Sequence, residues 1–222
     1  MTDDVTTREF HQAAGAEDWR IVSDGACAYF RTGTFTAGVR LVQAIGELPG
    51  IDDLRPDVDL RPDGVTVRLV TIREDYMGLS RRDIEFARQI SGVARELGAT
   101  ADPSAVQSVL VIPGWTATQE VFPFWRAVLG YEPRIDSPEV DLVDPRGRGP
   151  AFWFEDMEQL RGDGGGSIHL AVWVPYDQAE ARLAAALEAG GRIVRDEFAP
   201  SWWTLADAAG NEVDISTTLS RD

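Results

Sequence analysis

Cysteine and histidine are nearly absent from this chain: its 222 residues hold one cysteine, Cys27, and two histidines, His11 and His169. A single cysteine excludes an internal disulfide and fits a reducing compartment. Cys27 stands between Ala26 and Ala28 in a segment that reads as a strand, where a buried, inert thiol is expected rather than a nucleophile. Basic residues are scarce too, 21 against 37 acidic, for a net charge of -16. That balance argues against nucleic acid and anionic membranes as partners. No apolar run is long enough to span a bilayer and no secretory leader is recognisable, so the expected location is cytoplasmic. The run Gly162-Asp163-Gly164-Gly165-Gly166 lacks the Lys-Ser or Lys-Thr that a phosphate loop needs, and reads as a flexible hinge. What remains is 44% hydrophobic, enough for two modest cores.

The second half, from Ser108 to Leu219, repeats one order of elements: strand, helix, strand, strand, strand. The first copy opens with Val109 to Ile112 and continues into a helix whose Val121, Phe124, Trp125, Val128 and Leu129 share one face. Gly130 offers the left-handed stop. Strands follow at Glu139 to Val143 and Pro150 to Glu155, around the turn signal Asp144-Pro145-Arg146-Gly147. The second copy has Ile168 to Val174, a helix with Ala179, Leu183, Ala186 and Leu187 on one face, and strands at Arg192 to Arg195, Trp202 to Ala206 and Glu212 to Thr217. Such a tandem usually builds one cup around one ligand.

Strand alternation puts His169, Ala171 and Trp173 on one face, groups Asp214 with Glu212 and Ser216, and groups Glu155 with Trp153. Six of the seven tryptophans lie in this half, at 115, 125, 153, 173, 202 and 203. Trp125 fits the helix stripe and is expected in the core. Trp153, Trp173 and one of Trp202 or Trp203, with Trp203 the candidate, would wall a flat apolar pocket, with space-filling between sheet and helices as the equal alternative.

Phe124-Trp125-Arg126-Ala127-Val128-Leu129-Gly130-Tyr131, His169-Leu170-Ala171-Val172, Gly190-Gly191-Arg192-Ile193-Val194 and Asp207-Ala208-Ala209-Gly210-Asn211-Glu212-Val213-Asp214 together resemble the glyoxalase/bleomycin-resistance, or vicinal-oxygen-chelate, superfamily. The resemblance covers about half the chain and implies paired βαβββ modules forming a curved cup. In metal-dependent members the ligands would fall on Gln107, Glu155, His169 and Asp214. An imidazole, an amide oxygen and two carboxylates suit one divalent ion such as Zn, Ni, Mn or Fe, able to polarise a carbonyl or hold an enediolate. Glu155 would then serve as base. Two readings stay open: that metal site, or a His169 and Asp214 satisfied by ordinary hydrogen bonds.

The first half reads as a separate domain, residues 1–98, joined by a linker, 99–106, to the cup domain, 107–222. Strands are expected at Trp19 to Val22, Ala28 to Arg31 and Val65 to Thr71, and a helix from Thr36 to Leu48 with Val39, Val42 and Ile45 near one face. A last helix starts at Ser80, with Asp83 completing a capping box and Ile84, Ala87, Ile90 and Ala94 on the buried face. That order, with Trp19, Phe35-Thr36, Arg55-Pro56-Asp57 and Gly78-Leu79-Ser80-Arg81-Arg82-Asp83-Ile84, resembles pterin-4a-carbinolamine dehydratase over nearly the whole domain. The implied fold is a small antiparallel sheet backed by helices, often paired into a homodimer. Where that family has His-His-Pro-Asp this chain has Leu54-Arg55-Pro56-Asp57, and where it has Thr-His it has Thr71-Ile72. Carbinolamine dehydration needs a group that both takes and gives a proton near neutral pH. Leu54 and Ile72 have no such group, and Arg55 stays protonated. A retained scaffold, in which Arg55, Asp57 and Asp75 bind an anionic or heterocyclic ligand, is the expectation.

The sequence thus points to an α+β, two-domain protein of bacterial type that acts on a small molecule. The leading expectation is a lyase or isomerase with His169 and Glu155 or Asp214 as proton-transfer groups or ligands. The alternatives are a non-catalytic binder of an antibiotic or metabolite, and a divergent pterin dehydratase.

Overall fold

A computed structural model describes residues 3–115, 118–156, 167–206 and 212–219, except the side chains of Trp115, Glu120, Phe124, Val128 and Ser167. The expected Gly162–Gly166 hinge and residues 207–211 of the glyoxalase-like motif lie outside that description. The chain divides into two compact units, Gln107–Thr217 and the remainder.

The first unit contains, in order, α1 (Thr7–His11), β1 (Arg20–Val22), β2 (Gly25–Arg31), α2 (Phe35–Gly46), α3 (Ile51–Leu54), β3 (Asp57–Leu60), β4 (Gly64–Leu69), β5 (Thr71–Arg73), β6 (Tyr76–Gly78), α4 (Arg81–Glu96) and β7 (Thr100–Ala101). The main sheet runs β1-β2-β4-β3, with β7 also on β2, and all its pairings are antiparallel. Ala26, Ala28 and Phe30 stand opposite Leu69, Val67 and Val65. These six pack with Leu41 and Ile45 of α2 and with Ile84, Ala87, Ile90 and Ala94 of α4 in one core. Trp19 lies at its centre and donates its indole N–H to the Ala87 carbonyl and Ser91 Oγ, both at 3.0 Å. The α4 stripe is buried as its spacing predicts. On α2 the buried face is Gly38, Leu41 and Ile45, while Val39 is exposed.

Two segments differ from their expected form. Asp57 to Leu60, where no element is expected, form an edge strand on β4. Its side chains stay largely exposed because β4 alone supplies its ladder. Residues 99–106, read as a linker, contain β7 on β2 and a 3₁₀ turn, Pro103–Ala105. Asp102 fixes them: its N–H donates to the Tyr29 carbonyl, and its Oδ2 accepts from Arg31 Nε at 2.9 Å.

The second unit holds β8 (Ser108–Trp115), α5 (Thr118–Leu129), β9 (Glu132–Pro133), β10 (Asp141–Val143), β11 (Ala151–Trp153), β12 (Glu155–Asp156), β13 (Ser167–Trp173), α6 (Ala179–Glu188), β14 (Arg192–Arg195), β15 (Trp202–Ala206) and β16 (Glu212–Ser216). The sheet order is β14-β15-β16-β13-β8-β11-β10-β9, with β12 on β8. Each half is a βαβββ module, and the two meet where β8 and β13 pair antiparallel. The sheet is open rather than closed into a barrel.

Alternation sends one set of side chains to the helices. Val111, Phe152, Phe154 and Leu142 pack with Val121, Phe122, Trp125 and Leu129 of α5. Val172, Val174, Leu205, Val213 and Ile215 pack with Ala179, Leu183 and Ala186 of α6. Leu187, expected on that stripe, is 37% exposed. Gly130 ends α5 at φ 64°, the left-handed conformation that favours glycine. Among the described residues, no helix is long and apolar enough to cross a membrane.

Candidate functional site

The face of the second sheet opposite α5 and α6 carries the polar candidates. Cross-strand register fixes them in rows. Thr204, Asp214, Ala171 and Leu110 form one row across β15, β16, β13 and β8. Trp202, Ser216, Trp173 and Ser108 form the row on one side of it. On the other side His169 stands opposite Ile112, and beyond it Glu155 stands opposite Gly114. The parallel offset that joins Phe152 to Val111 and Glu155 to Gly114 sets Trp153 level with Ile112. His169, Asp214, Glu155, Trp153 and Trp173 therefore share one face, as their parity predicts.

Within that face one constellation is tight. Thr204 Oγ1 donates to Asp214 Oδ1 at 2.6 Å. Asp214 Oδ2 lies 3.6 Å from His169 Nε2, inside ion-pair range and just beyond a hydrogen bond. The imidazole keeps 29% of its side-chain surface exposed and the carboxylate 14%, so the ring can meet a ligand while Asp214 is mostly enclosed. Glu212, next on the same face of β16, is held by Arg195 Nη2 at 3.0 Å. Behind Glu155, Asp156 turns to the other face, where its Oδ1 accepts from the Thr118 N–H at 2.9 Å and from Thr118 Oγ1 at 2.5 Å. The Thr118 hydroxyl, then its amide, hold the Asp156 carboxyl below the usual range.

The quartet Gln107, Glu155, His169 and Asp214 does not converge. Gln107 adjoins Ser108, whose partner is Trp173, so it sits level with Val174, five residues from His169. At about 3.3 Å per residue that is roughly 17 Å along the strand, and alternation points it to the other face. Its amide oxygen accepts from Arg182 Nη1 of α6 at 3.2 Å. Glu155 is separated from His169 by β8 and by two residues along it, about 12 Å in all. Among the described residues, no three His, Cys, Asp or Glu side chains gather closely enough to hold a metal ion. The donors present do not fit that four-ligand centre.

Trp203 also departs from its expected place. It pairs with Ile215 and packs in the cluster under α6. Its neighbour Trp202 is the tryptophan on the polar face, stacked on Phe198 with centroids 4.3 Å apart. Sequence reasoning missed Thr204 as a site residue and took Trp203 rather than Trp202 from the pair it left open. Parity within Trp202 to Ala206 groups Thr204 with Trp202, but only the pairing with β16 brings them to Asp214.

In the first unit the candidate residues are dispersed. Leu54 is in the core. Arg55 ends α3 at φ 53° with its side chain exposed. Asp57 is paired with Arg68 Nη1 at 2.9 Å, and Asp75 sits at φ 59° in the turn between β5 and β6. Ile72 is 57% exposed. Thr71 Oγ1 donates to Asp83 Oδ2 at 2.6 Å, reinforcing the capping box of α4. Two clefts of about 310 and 320 Å³ open in this unit, one beside Ser23 and Tyr76 and one between Glu9, Arg81 and Arg88. Neither is lined by Arg55, Asp57 or Asp75.

These two units define a class: an α+β protein joining a helix-backed antiparallel sheet to a tandem βαβββ sheet. Residues 3–93 match the family described as Pterin 4 alpha carbinolamine dehydratase, and residues 111–216 match the Glyoxalase-like domain family. In each of two strains of Mycobacterium leprae, Br4923 and TN, a protein described as "Putative pterin-4-alpha-carbinolamine dehydratase" is 36% identical over 73 residues, which is 33% of this chain and 76% of that protein. Through its N-terminal half, the chain belongs to the pterin-4-alpha-carbinolamine dehydratase family, while its C-terminal half is similar to the glyoxalase-like domain family over residues 111–216. A solved structure, the NAD-dependent benzaldehyde dehydrogenase from Legionella pneumophila, aligns with 49% of this chain and 97% of its own at 11% identity and a TM-score of 0.35, too low to carry an argument. The two domain types together support a small-molecule enzyme-type or binding function.

Proposed function

We propose that the chain is a small-molecule enzyme of lyase or isomerase type, with His169 of the glyoxalase-like domain as its proton-transfer group. The observation that carries this reading is the sequence of contacts from Thr204 through Asp214 to His169 on the sheet face opposite α5 and α6. Imidazole is the side chain suited to taking and giving a proton near neutral pH. A carboxylate beside Nε2 favours the tautomer protonated on that nitrogen and leaves the other as base. Asp214 then stabilises the imidazolium formed when a proton is taken from the ligand, and Thr204 holds Asp214 in place. The proton goes back from the same ring to a neighbouring atom of the ligand in an isomerisation, or to its leaving group in an elimination. Trp153, 38% exposed and level with Ile112, supplies flat apolar area on the same face, while Trp173 is buried four residues along β13.

In the dehydratase-type unit, Leu54, Arg55 and Ile72 occupy the positions of the family's imidazoles, so the reading assigns that unit no proton transfer. The test is His169→Gln. Turnover of a processed compound should fall by about 10²–10⁴, the usual worth of a general base, with affinity retained. A wild-type protein that binds ligand saturably and forms no product would replace this reading with that of a binder.

A further inference from the structure

We infer that the face of the second sheet opposite α5 and α6 takes an organic cation, with Trp153 and Glu155 as its recognition pair. The inference rests on the reading of that face as the ligand site and names the substrate class. Trp153 ends β11 and Glu155 begins β12. Phe154 between them is fully turned into the cluster under α5. That inward anchor sends Trp153 and Glu155 together to the polar face, at a spacing of about 7 Å. The indole is 38% exposed. Glu155 has no hydrogen-bond or ion-pair partner among the described residues, unlike Asp214, Glu212 and Asp156, each of which is held.

An exposed indole face beside an unpaired carboxylate is the chemistry that recognises a positively charged, flat or methylated group: the ring quadrupole attracts the cation and the carboxylate neutralises it. Among the described residues the cations level with this face are Arg195, paired with Glu212, Arg192, opposite Ala206 at the far β14 edge, and Arg134, level with Asp141 and paired with Asp136. An anionic ligand would meet uncompensated carboxylate, and the net charge of -16 opposes its approach. Trp153 lies level with Ile112, across which stands His169, about 10 Å away at two strand spacings. A ring resting on Trp153 therefore presents its far edge to the imidazole. The substrate class is a protonated or quaternary nitrogen compound, with the exchangeable proton on the side away from the charge.

The test is isothermal calorimetry of the full chain with 1-methylquinolinium and, as anion of similar shape, naphthalene-2-sulfonate. The cation should bind saturably and the anion at least tenfold more weakly, with cation affinity falling as salt rises. Glu155→Gln should weaken the cation by about tenfold and Trp153→Leu by roughly fivefold. His169→Gln should leave cation affinity within about twofold, because the imidazole acts on the proton and not on the charge. Equal affinity for the two probes, no binding of the cation, or an unchanged affinity in Glu155→Gln would overturn the inference. Because turnover is read through His169 and charge preference through Glu155, the two proposals fail separately.

Discussion

Thr204 and Asp214 face each other across the β15–β16 pair, and the 2.6 Å bond from the Thr204 hydroxyl occupies one carboxylate oxygen while the other faces His169. Thr204 is 1% exposed. Thr204→Val keeps its shape but strips the donor from a mostly enclosed carboxylate, and should cost about 1–3 kcal/mol in urea unfolding. Thr204→Ser, which keeps the hydroxyl, should cost less.

The first turn of α4 makes a second stability prediction. Ser80 Oγ accepts from the Asp83 N–H, and Asp83 Oδ2 accepts from the Ser80 N–H at 2.7 Å, in a capping box that Thr71 joins. Ser80→Ala should destabilise the first unit by about 1–2 kcal/mol. The double variant with Thr71→Val should fall short of the sum of the singles, since both hydroxyls serve one carboxylate oxygen. Denaturant midpoints followed by circular dichroism check both statements.

Acid should weaken the fold through specific carboxylates. Asp102 is held low by Ser104 and Arg31, Asp144 by the Arg146, Arg148 and Gly149 amides, and Asp156 by Thr118. A carboxyl whose folded pKa is depressed contributes stability above its unfolded value, lost as pH falls through the folded one. The urea midpoint should therefore hold between about pH 5 and 7 and fall below about pH 4. In Asp156→Asn that acid slope should be shallower.

Burial pushes the Cys27 thiol up to about 12. The thiolate is the reactive form, so labelling by iodoacetamide at pH 8 should be negligible in the folded protein and complete in 6 M guanidinium. Rapid labelling of the native chain would contradict the packing of β2 against β4.

Local signals were legible wherever one element decides the outcome. Ser80 and Asp83 announce their capping box, the α4 stripe buries the residues its period selects, and Arg192–Arg195 and Trp202–Ala206 are strands as read. Period-two counting also grouped His169 with Trp173, Asp214 with Glu212, and Glu155 with Trp153, each within its own strand. Strand pairing was not legible, because it is decided between elements. The resemblance sets Gln107 and His169 at corresponding positions of the two modules. The antiparallel meeting of β8 and β13 reverses one strand, so equivalent positions move apart along the pair. Trp202 and Trp203 could not be told apart for the same reason: only the register with β16 decides which reaches Asp214. Asp57-Val58-Asp59-Leu60 alternates polar and apolar residues, but so short a run beside Pro56 does not announce a strand until β4 pairs with it.

Deuterium uptake tests the central claim most directly. The protein would be incubated in D₂O with a panel of small ring and carbonyl compounds carrying a protonated or quaternary nitrogen, and their C–H signals followed by proton NMR. The expected result is enzyme-dependent loss of one C–H signal in at least one compound, slowed about 10²-fold or more in His169→Gln with the fold intact. Exchange that persists undiminished in His169→Gln, or compounds that bind while no proton ever exchanges, would contradict a proton-transfer site at His169.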